Sequence, residues 1–568
     1  MKTSIRNIPL SVLLSYLLIV IFNISINLHL SGQGKNEEVT IIAPYIPSIG
    51  DATKIPFRPE IVPGEQASQT FEYEYVTKRL ETRMELDPIE PMKYNEDKQD
   101  QFYRNYAKAG FGNYITPYLD FMASSLQSEK YQFGARIKHH SSQGKIKNYP
   151  PSAYSHNLIS VYGKTFSKSH TLSADVGYKR DVVHFYGFVP DSFPEVEYTK
   201  DDLRQRFQHV HGTVEYESNY KGDYKLNHLF RLGIHYFSDF YQTRESQVSF
   251  FTTLDKAFNT GGNDFKHALV LDLGIDYLNY KDSVTSDNPF YLLIRPVYRF
   301  GFAQYSFEIG IGINMTSTNS PVESNFGMDV FPILKAEVVI VDEKLKAFAE
   351  ISGNRTINSF RSLTDINPFI TSTPLLTYTD EQIKIGGGLT GNAGGINFLA
   401  EASYSYFKDL PLFVNDPALP LNNKFDVIYE NINQLKIKAS LGYLRINQFS
   451  ARLLAAYYHY IPINAEKAWQ MPNFEVGLDA SYTLLEKYTL KASALAFGSK
   501  YALTFVEGEI VPAKMAGALD LGIGVEYQVN RMLSAYVDAN NLLNQHYQRW
   551  YQYPVQGIQV MAGVKISF

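Results

Sequence analysis

The 568-residue chain has a net charge of −5 and a sequence pI near 6.3, which gives no support for nucleic-acid binding. Its length exceeds what one soluble core sustains, so it is either several domains or one large closed sheet, and a mean hydropathy of −0.22 excludes a bundle of membrane helices. Cysteine is absent, which excludes disulfides, thiol chemistry and a lipid-anchoring cysteine, whereas 42 Tyr and 37 Phe suit aromatic belts at the edges of a lipid-facing band.

Lys2 and Arg6 precede an apolar run at 10–22, and small or polar residues follow at Ser31, Gly32, Gln33 and Gly34. This reads as a secretory signal peptide over 1–34, cleaved near Gly34, because the run is short for a membrane anchor and ends in Asn-rich sequence. Export leaves the periplasm, the outer membrane or the medium. Residues 35–100 are rich in proline and acidic residues and alternate poorly. They read as an irregular periplasmic or lumenal segment with one short helix near 75–85.

After Asp100 the pattern changes to strands with a period of two, assigning 101–568 to a barrel domain. Leu172, Ala174, Val176 and Tyr178 enclose Ser173, Asp175 and Gly177. Leu271, Leu273, Ile275 and Tyr277 enclose Asp272, Gly274 and Asp276. The same alternation recurs at 305–314, 474–482 and 519–527, and at 558–568 the chain ends on it. A run of about eleven such residues matches a tilted strand crossing a bilayer. Alternation alone also suits a soluble sandwich. Scale decides against one: so many strands with one apolar face would need an enormous core, whereas a barrel needs only lipid outside and water inside.

Short joins at 167–169, 301–302, 342–344, 447–448, 486–487 and 530–531 alternate with long polar connections such as 142–154, 189–202, 358–379 and 499–516. That is the pattern of periplasmic turns and extracellular loops. The expectation is therefore an all-β transmembrane antiparallel β-barrel of about 22 strands in the outer membrane, preceded by a short irregular Pro-rich segment.

The end of the chain resembles TonB-dependent receptor barrels. Asn541-Leu542-Leu543-Asn544, Tyr547, Gly557 and the terminal Phe568 match the way those barrels close, and the Tyr-rich style resembles Bacteroidota members. The resemblance implies that Gly557, Val564, Ile566 and Phe568 form the carboxy-terminal signal read by the barrel-assembly machinery. It also gives meaning to Glu38, Val39, Thr40, Ile41, Ile42 and Ala43, which resemble a TonB box, a segment that adds a strand to a TonB-like partner. The chain departs from the family in lacking a recognisable plug domain before the barrel. A lumen this wide must then be filled by the Pro-rich segment, by long loops such as 358–379 folding in, or by another polypeptide.

Three other patterns bear on chemistry. His140, Ser142 and Gly144 form a His-x-Ser-x-Gly motif that looks like the catalytic strand of outer-membrane phospholipase, with Asn148 or Asn157 as the only nearby groups to orient the histidine. A polar loop edge explains it better, and no enzyme is expected. His209 and His211 share a face, but two imidazoles without a third ligand are weak evidence for metal, so neither metal nor cofactor is expected. Asp175, Asp272, Asp276, Glu308, Asp479, Asp520 and Glu526 would line the lumen. They would either pair with lumenal Arg and Lys or give a cation-selective or plug-docking wall. The functional expectation is nutrient uptake across the outer membrane; the alternative is a plug-less barrel serving as scaffold or subunit of an outer-membrane complex, with lipid and another outer-membrane or periplasmic subunit as partners.

Overall fold

The computed structural model describes residues 103–125, 128–220, 225–258, 265–319, 324–445, 448–506 and 509–568. The expected signal peptide over 1–34, the 35–100 segment with the short helix expected near 75–85, and the TonB-box-like residues Glu38 to Ala43 lie outside them.

Among the described residues one antiparallel sheet contains 23 strand segments, of which Ser286–Asp287 is a two-residue extension, so 22 strands form the wall. Each pairs with its neighbour in sequence, and the last closes on the first. Val564 of Gln559–Ser567 lies opposite Ala109 of Asn105–Gly112, and Asn105 and Phe568 exchange backbone hydrogen bonds of 2.9 and 3.0 Å. Closure removes every sheet edge, which a bilayer requires because it offers no water to unpaired backbone groups.

The apolar rows are the exposed ones. On the last strand Val560, Val564, Ile566 and Phe568 are 41, 44, 38 and 46% exposed, and the residues alternating with them are less so. Ile275, Tyr277, Ile309, Ile311, Ile523 and Val525 repeat this on other strands. A soluble protein buries such rows, so their common outward direction is a lipid-facing surface. Near the short turns it gains aromatic residues, with Tyr488 and Tyr527 at 5.0 Å and Phe302 and Tyr305 at 5.5 Å between ring centroids.

The short joins are tight because their residues take left-handed backbone geometry. Leu485 and Glu486 both take positive φ (53° and 57°), as do Gly394 and Gly395 (60° and 83°), the turn geometry whose twist matches the flanking strands. One expected join shifts: Gly301 and Phe302 remain in the strand Phe290–Phe302, and the turn falls on Ala303, with φ of 48°, and Gln304. Phe425–Arg445 is one long strand. Two expected loops carry structure of their own. The connection 358–377 holds the helix Phe360–Ile366, and 498–517 holds the hairpin Lys500–Val506 and Glu509–Met515.

Candidate functional site in the barrel mouth

The site begins with the connection between the strands Leu345–Ile357 and Tyr378–Ala393. Ser359 caps the helix Phe360–Ile366 by accepting from the Ser362 backbone N–H at 3.2 Å. The helix is too short to persist alone. The barrel wall holds it: Glu245, on the strand Arg244–Phe258 and buried, accepts the backbone N–H groups of Phe360 at 2.6 Å and Arg361 at 3.4 Å. A carboxylate at a helix start meets both unpaired donors and the positive end of the dipole.

The loop's far end is tied separately. Asp239 is buried and accepts from Gln205 Nε2 at 3.1 Å, from the Thr243 N–H at 2.9 Å and from the Ser372 hydroxyl, while Thr243 Oγ1 donates to Ser372 O at 2.7 Å. Burial pushes the Asp239 carboxyl above its ordinary value despite these donors. Between the two anchors, Phe360, Leu363 and Ile370 are fully buried.

They join a cluster that crosses the mouth. Inward residues of wall strands, Val183, Phe207, Phe237 and Tyr280 on one side and Phe413 and Val427 on the other, meet Phe360, Ile370 and Tyr553 of the loops. Phe369 stacks on Tyr553 at 3.8 Å, and Tyr186 meets the same ring edge-on at 4.9 Å. Polar bonds connect the loops: Asn423 Nδ2 donates to Phe185 O at 2.7 Å, Tyr186 OH to Pro554 O at 3.0 Å, and Tyr553 OH to Asn423 O. Lys424 lies 4.6 Å from the ring centroids of both Phe185 and Tyr241, and burial lowers its pKa. Five connections thus form one lid. The expected inward folding of the 358–379 connection is thus seen at the mouth, while the Pro-rich segment lies outside the described residues.

Below the lid the wall is polar and paired. Asp272 meets Arg295 at 2.8 Å, Glu308 meets Arg299 at 2.9 Å, and Glu526 sits between Lys491 and Lys565 at 2.9 Å each. Asp175 lies 3.2 Å from His211, Asp276 accepts from Gln247, and Asp520 accepts from Tyr547 OH at 2.7 Å. Asp272, Glu308 and Glu526 thus pair with Arg or Lys as expected, whereas Asp276 and Asp520 accept from neutral groups. Arg355, whose side chain is 0% exposed, donates to Asp380 at 2.5 and 2.8 Å, to Thr316 at 3.0 Å and to Asp329. An open lumenal cavity of 1030 Å³, lined by Arg452, Asp479, Lys491 and Asp538 among others, remains on this wall.

His209 and His211 do share the inward face, and the structure adds a third imidazole, with His235 Nδ1 3.1 Å from His209 Nε2. Yet that nitrogen pair is spent on a mutual hydrogen bond, and among the described residues no three ligands surround a common point. His140 and Ser142 are not brought together. Ser142 Oγ donates to Tyr114 O at 3.3 Å and accepts from Gln556 Nε2 at 3.2 Å, while His140 Nε2 faces Tyr154 OH at 3.4 Å.

At the carboxy terminus Gly557 precedes the last strand rather than opening it, and a Cβ there would meet Asn544 Oδ1 at 2.4 Å. Asn541 and Asn544 both have φ of 51°. Asn541 Nδ2 donates to Gln545 O and Gln556 O at 2.8 Å each, so the Asn-Leu-Leu-Asn stretch is a knot holding the last loop. Val564, Ile566 and Phe568 stand outward.

No family model and no curated protein matches the sequence. Solved structures do match. The pyoverdine outer-membrane receptor FpvA of Pseudomonas aeruginosa superposes with a TM-score of 0.64 at 12% identity, over 82% of this chain and 79% of that one. The chain has the barrel fold of TonB-dependent siderophore receptors. The ferric-catecholate import receptor Fiu of Escherichia coli gives 0.61 at 9% identity over 82% of both chains. The ferric yersiniabactin uptake receptor FyuA of Yersinia pestis gives 0.58 at 10% identity over 83% and 80%. These are transport receptors, and the TonB-dependent receptor fold spans most of this chain.

Sequence reading missed Glu245 and Asp239, because no motif marks a wall carboxylate that anchors a loop 115 residues away in sequence. Ser359 and Ser362 before Phe360 were the available signal for the helix.

Proposed function

We propose that this protein is an outer-membrane uptake barrel for a scarce nutrient, with the 358–377 loop as its gate. The observation that carries the reading is the loop docked by Glu245 and Asp239 over a polar, charge-paired lumen. Burying Phe360, Leu363 and Ile370 contributes about 1.5–3 kcal/mol each, so unassisted opening reaches roughly one molecule in a thousand or fewer. Such a gate needs a trigger. Ligand engaging the aromatic lid would supply part of it; the similar receptor FpvA has pyoverdine bound. A TonB-like partner pulling on Glu38 to Ala43 would supply the rest.

In this reading residues 1–34 direct export, 35–100 lie in the periplasm or lumen, and 101–568 fold with the barrel-assembly machinery in a Bacteroidota-like envelope. The test is deletion of 38–43 in the full chain. Normal insertion with lost nutrient uptake supports the proposal. Unchanged growth on every scarce nutrient that requires the protein overturns the energised mechanism and favours a sealed scaffold barrel.

A further inference from the structure

The His-His-Ser-Ser run at 139–142 can be read in two registers, and the inward one, His140 with Ser142, is engaged elsewhere. The outward register is not. His139 Nε2 lies 3.0 Å from Ser141 Oγ, and His139 Nδ1 lies 2.7 Å from Asn157 Oδ1 on the adjoining strand Tyr154–Phe166. The Asn157 amide is held by its nitrogen, which donates to Arg180 O at 3.2 Å and to Ser155 Oγ at 3.0 Å. Its oxygen must therefore face the imidazole. That fixes the tautomer: Nδ1–H donates to Asn157, and Nε2 is left as the acceptor for the Ser141 hydroxyl. Nucleophile, base and orienting group are thus joined in one chain of hydrogen bonds.

The surroundings are those of a lipid ester. Below the triad on the same outward row stand Phe133 and Ile137, with Ile159 and Val161 beside them, all exposed. Above, a recess of 340 Å³ is lined by Ser155, Arg180, Lys200 and Arg204, with Asp201 its one carboxylate. Ser155 lies directly opposite Ser141 in the sheet. Apolar side chains at acyl-chain depth, cationic ones at headgroup depth and a serine at the transition put Ser141 where a bilayer holds its ester linkages.

We propose that Ser141, His139 and Asn157 form a lipid-facing serine esterase site that cleaves carboxylic acyl esters of membrane lipids. Ser141 Oγ attacks the ester carbonyl carbon as its proton passes to His139 Nε2. The tetrahedral intermediate collapses, the ester C–O bond breaks, and His139 returns the proton to the departing alcohol. Water, deprotonated by His139, then attacks the acyl-serine and releases the fatty acid, restoring Ser141. Asn157 acts as a positioning residue.

The test uses the purified full chain in vesicles of phosphatidylethanolamine and phosphatidylglycerol, with a parallel arm containing lipopolysaccharide, and reads fatty-acid release. Release in either arm, reduced by about a thousand-fold or more in Ser141→Ala, supports the site, and the active arm names the lipid source. Ser142→Ala is expected to retain the activity. Asn157→Ala should lower kcat with little change in KM, and Asn157→Asp, which still accepts from Nδ1–H, should restore it. A fluorophosphonate applied to the unmodified barrel should label Ser141, found by peptide mass spectrometry, so the test does not depend on a variant that folds. No release in either arm together with an unlabelled Ser141 overturns the proposal, as does activity that persists in Ser141→Ala.

Discussion

Glu245 and Phe360 are 115 residues apart in sequence, yet the wall carboxylate accepts the loop's backbone N–H at 2.6 Å. This bond sets the depth at which the helix Phe360–Ile366 enters the mouth. Charged hydrogen bonds of this kind contribute about 1.5–3 kcal/mol each, and their loss would leave two helix donors unmet in a buried place. Glu245→Ala is expected to raise single-channel conductance and admission of bulky antibiotics while the barrel's own unfolding temperature stays near that of the parent. Glu245→Gln, which keeps one acceptor, should fall between. Planar-bilayer recording and antibiotic sensitivity of cells carrying each variant measure this.

Arg355 lies in a different class, because its side chain is wholly enclosed by Asp380, Asp329, Thr316 and the Tyr378 ring, 3.8 Å from its guanidinium carbon. Removing one partner of a buried pair strands the other charge and costs about 3–5 kcal/mol. Arg355→Met should therefore lower thermal stability in detergent far more than Arg299→Met, whose pairs are half-exposed. Arg355→Lys should fail to rescue, since a point charge cannot reproduce the two-pronged contact with Asp380. Differential scanning of the three variants tests the order.

The hairpin Lys500–Val506 with Glu509–Met515 gives a pH dependence whose sign follows from burial. Lys500 is 5% exposed, with its ammonium on the Arg549 carbonyl and 5.1 and 5.7 Å from the Phe497 and Trp550 rings. Burial, aided by the Arg549 charge, lowers its pKa from 10.5 to about 8. Between those two values the undocked hairpin binds more protons than the docked one, so docking strengthens as pH rises from about 8 to 10.5. Below pH 8 the docked form holds a buried charge. Protease cleavage at 500–515 should slow on raising the pH through this window, and Lys500→Met should abolish the pH dependence and slow cleavage at pH 7.

The wall was legible in the sequence because lipid outside and water inside impose a strict period of two, as Val564 beside Lys565 illustrates. The strand number followed from counting joins, whose turn residues are local. The lid was not legible. Phe360 and Tyr553 look like ordinary loop aromatics until five connections meet, and nothing within a few residues of Glu245 signals its partner. The His139–Ser142 run shows the same limit more sharply. Its residue types are suggestive, but only the pairing of 131–142 with 154–166 decides which histidine meets which asparagine.

The last strand provides the most direct test of which face meets lipid. Val564 points outward at 44% exposure, while Lys565, its neighbour, turns inward to Glu526 at 2.9 Å. An arginine on the lipid face costs about 2–4 kcal/mol near the bilayer midplane and much less toward either rim. Val564→Arg should therefore slow folding into vesicles and lower the folded fraction in a urea titration. Lys565→Ser removes one of the two lysines on Glu526 and leaves Lys491 in place at 2.9 Å, so it should cost less than Val564→Arg. Equal penalties for the two variants would mean that both faces meet the same solvent. Were Lys565→Ser the more damaging, the outward row would be a protein interface and the barrel would not stand in lipid at that strand.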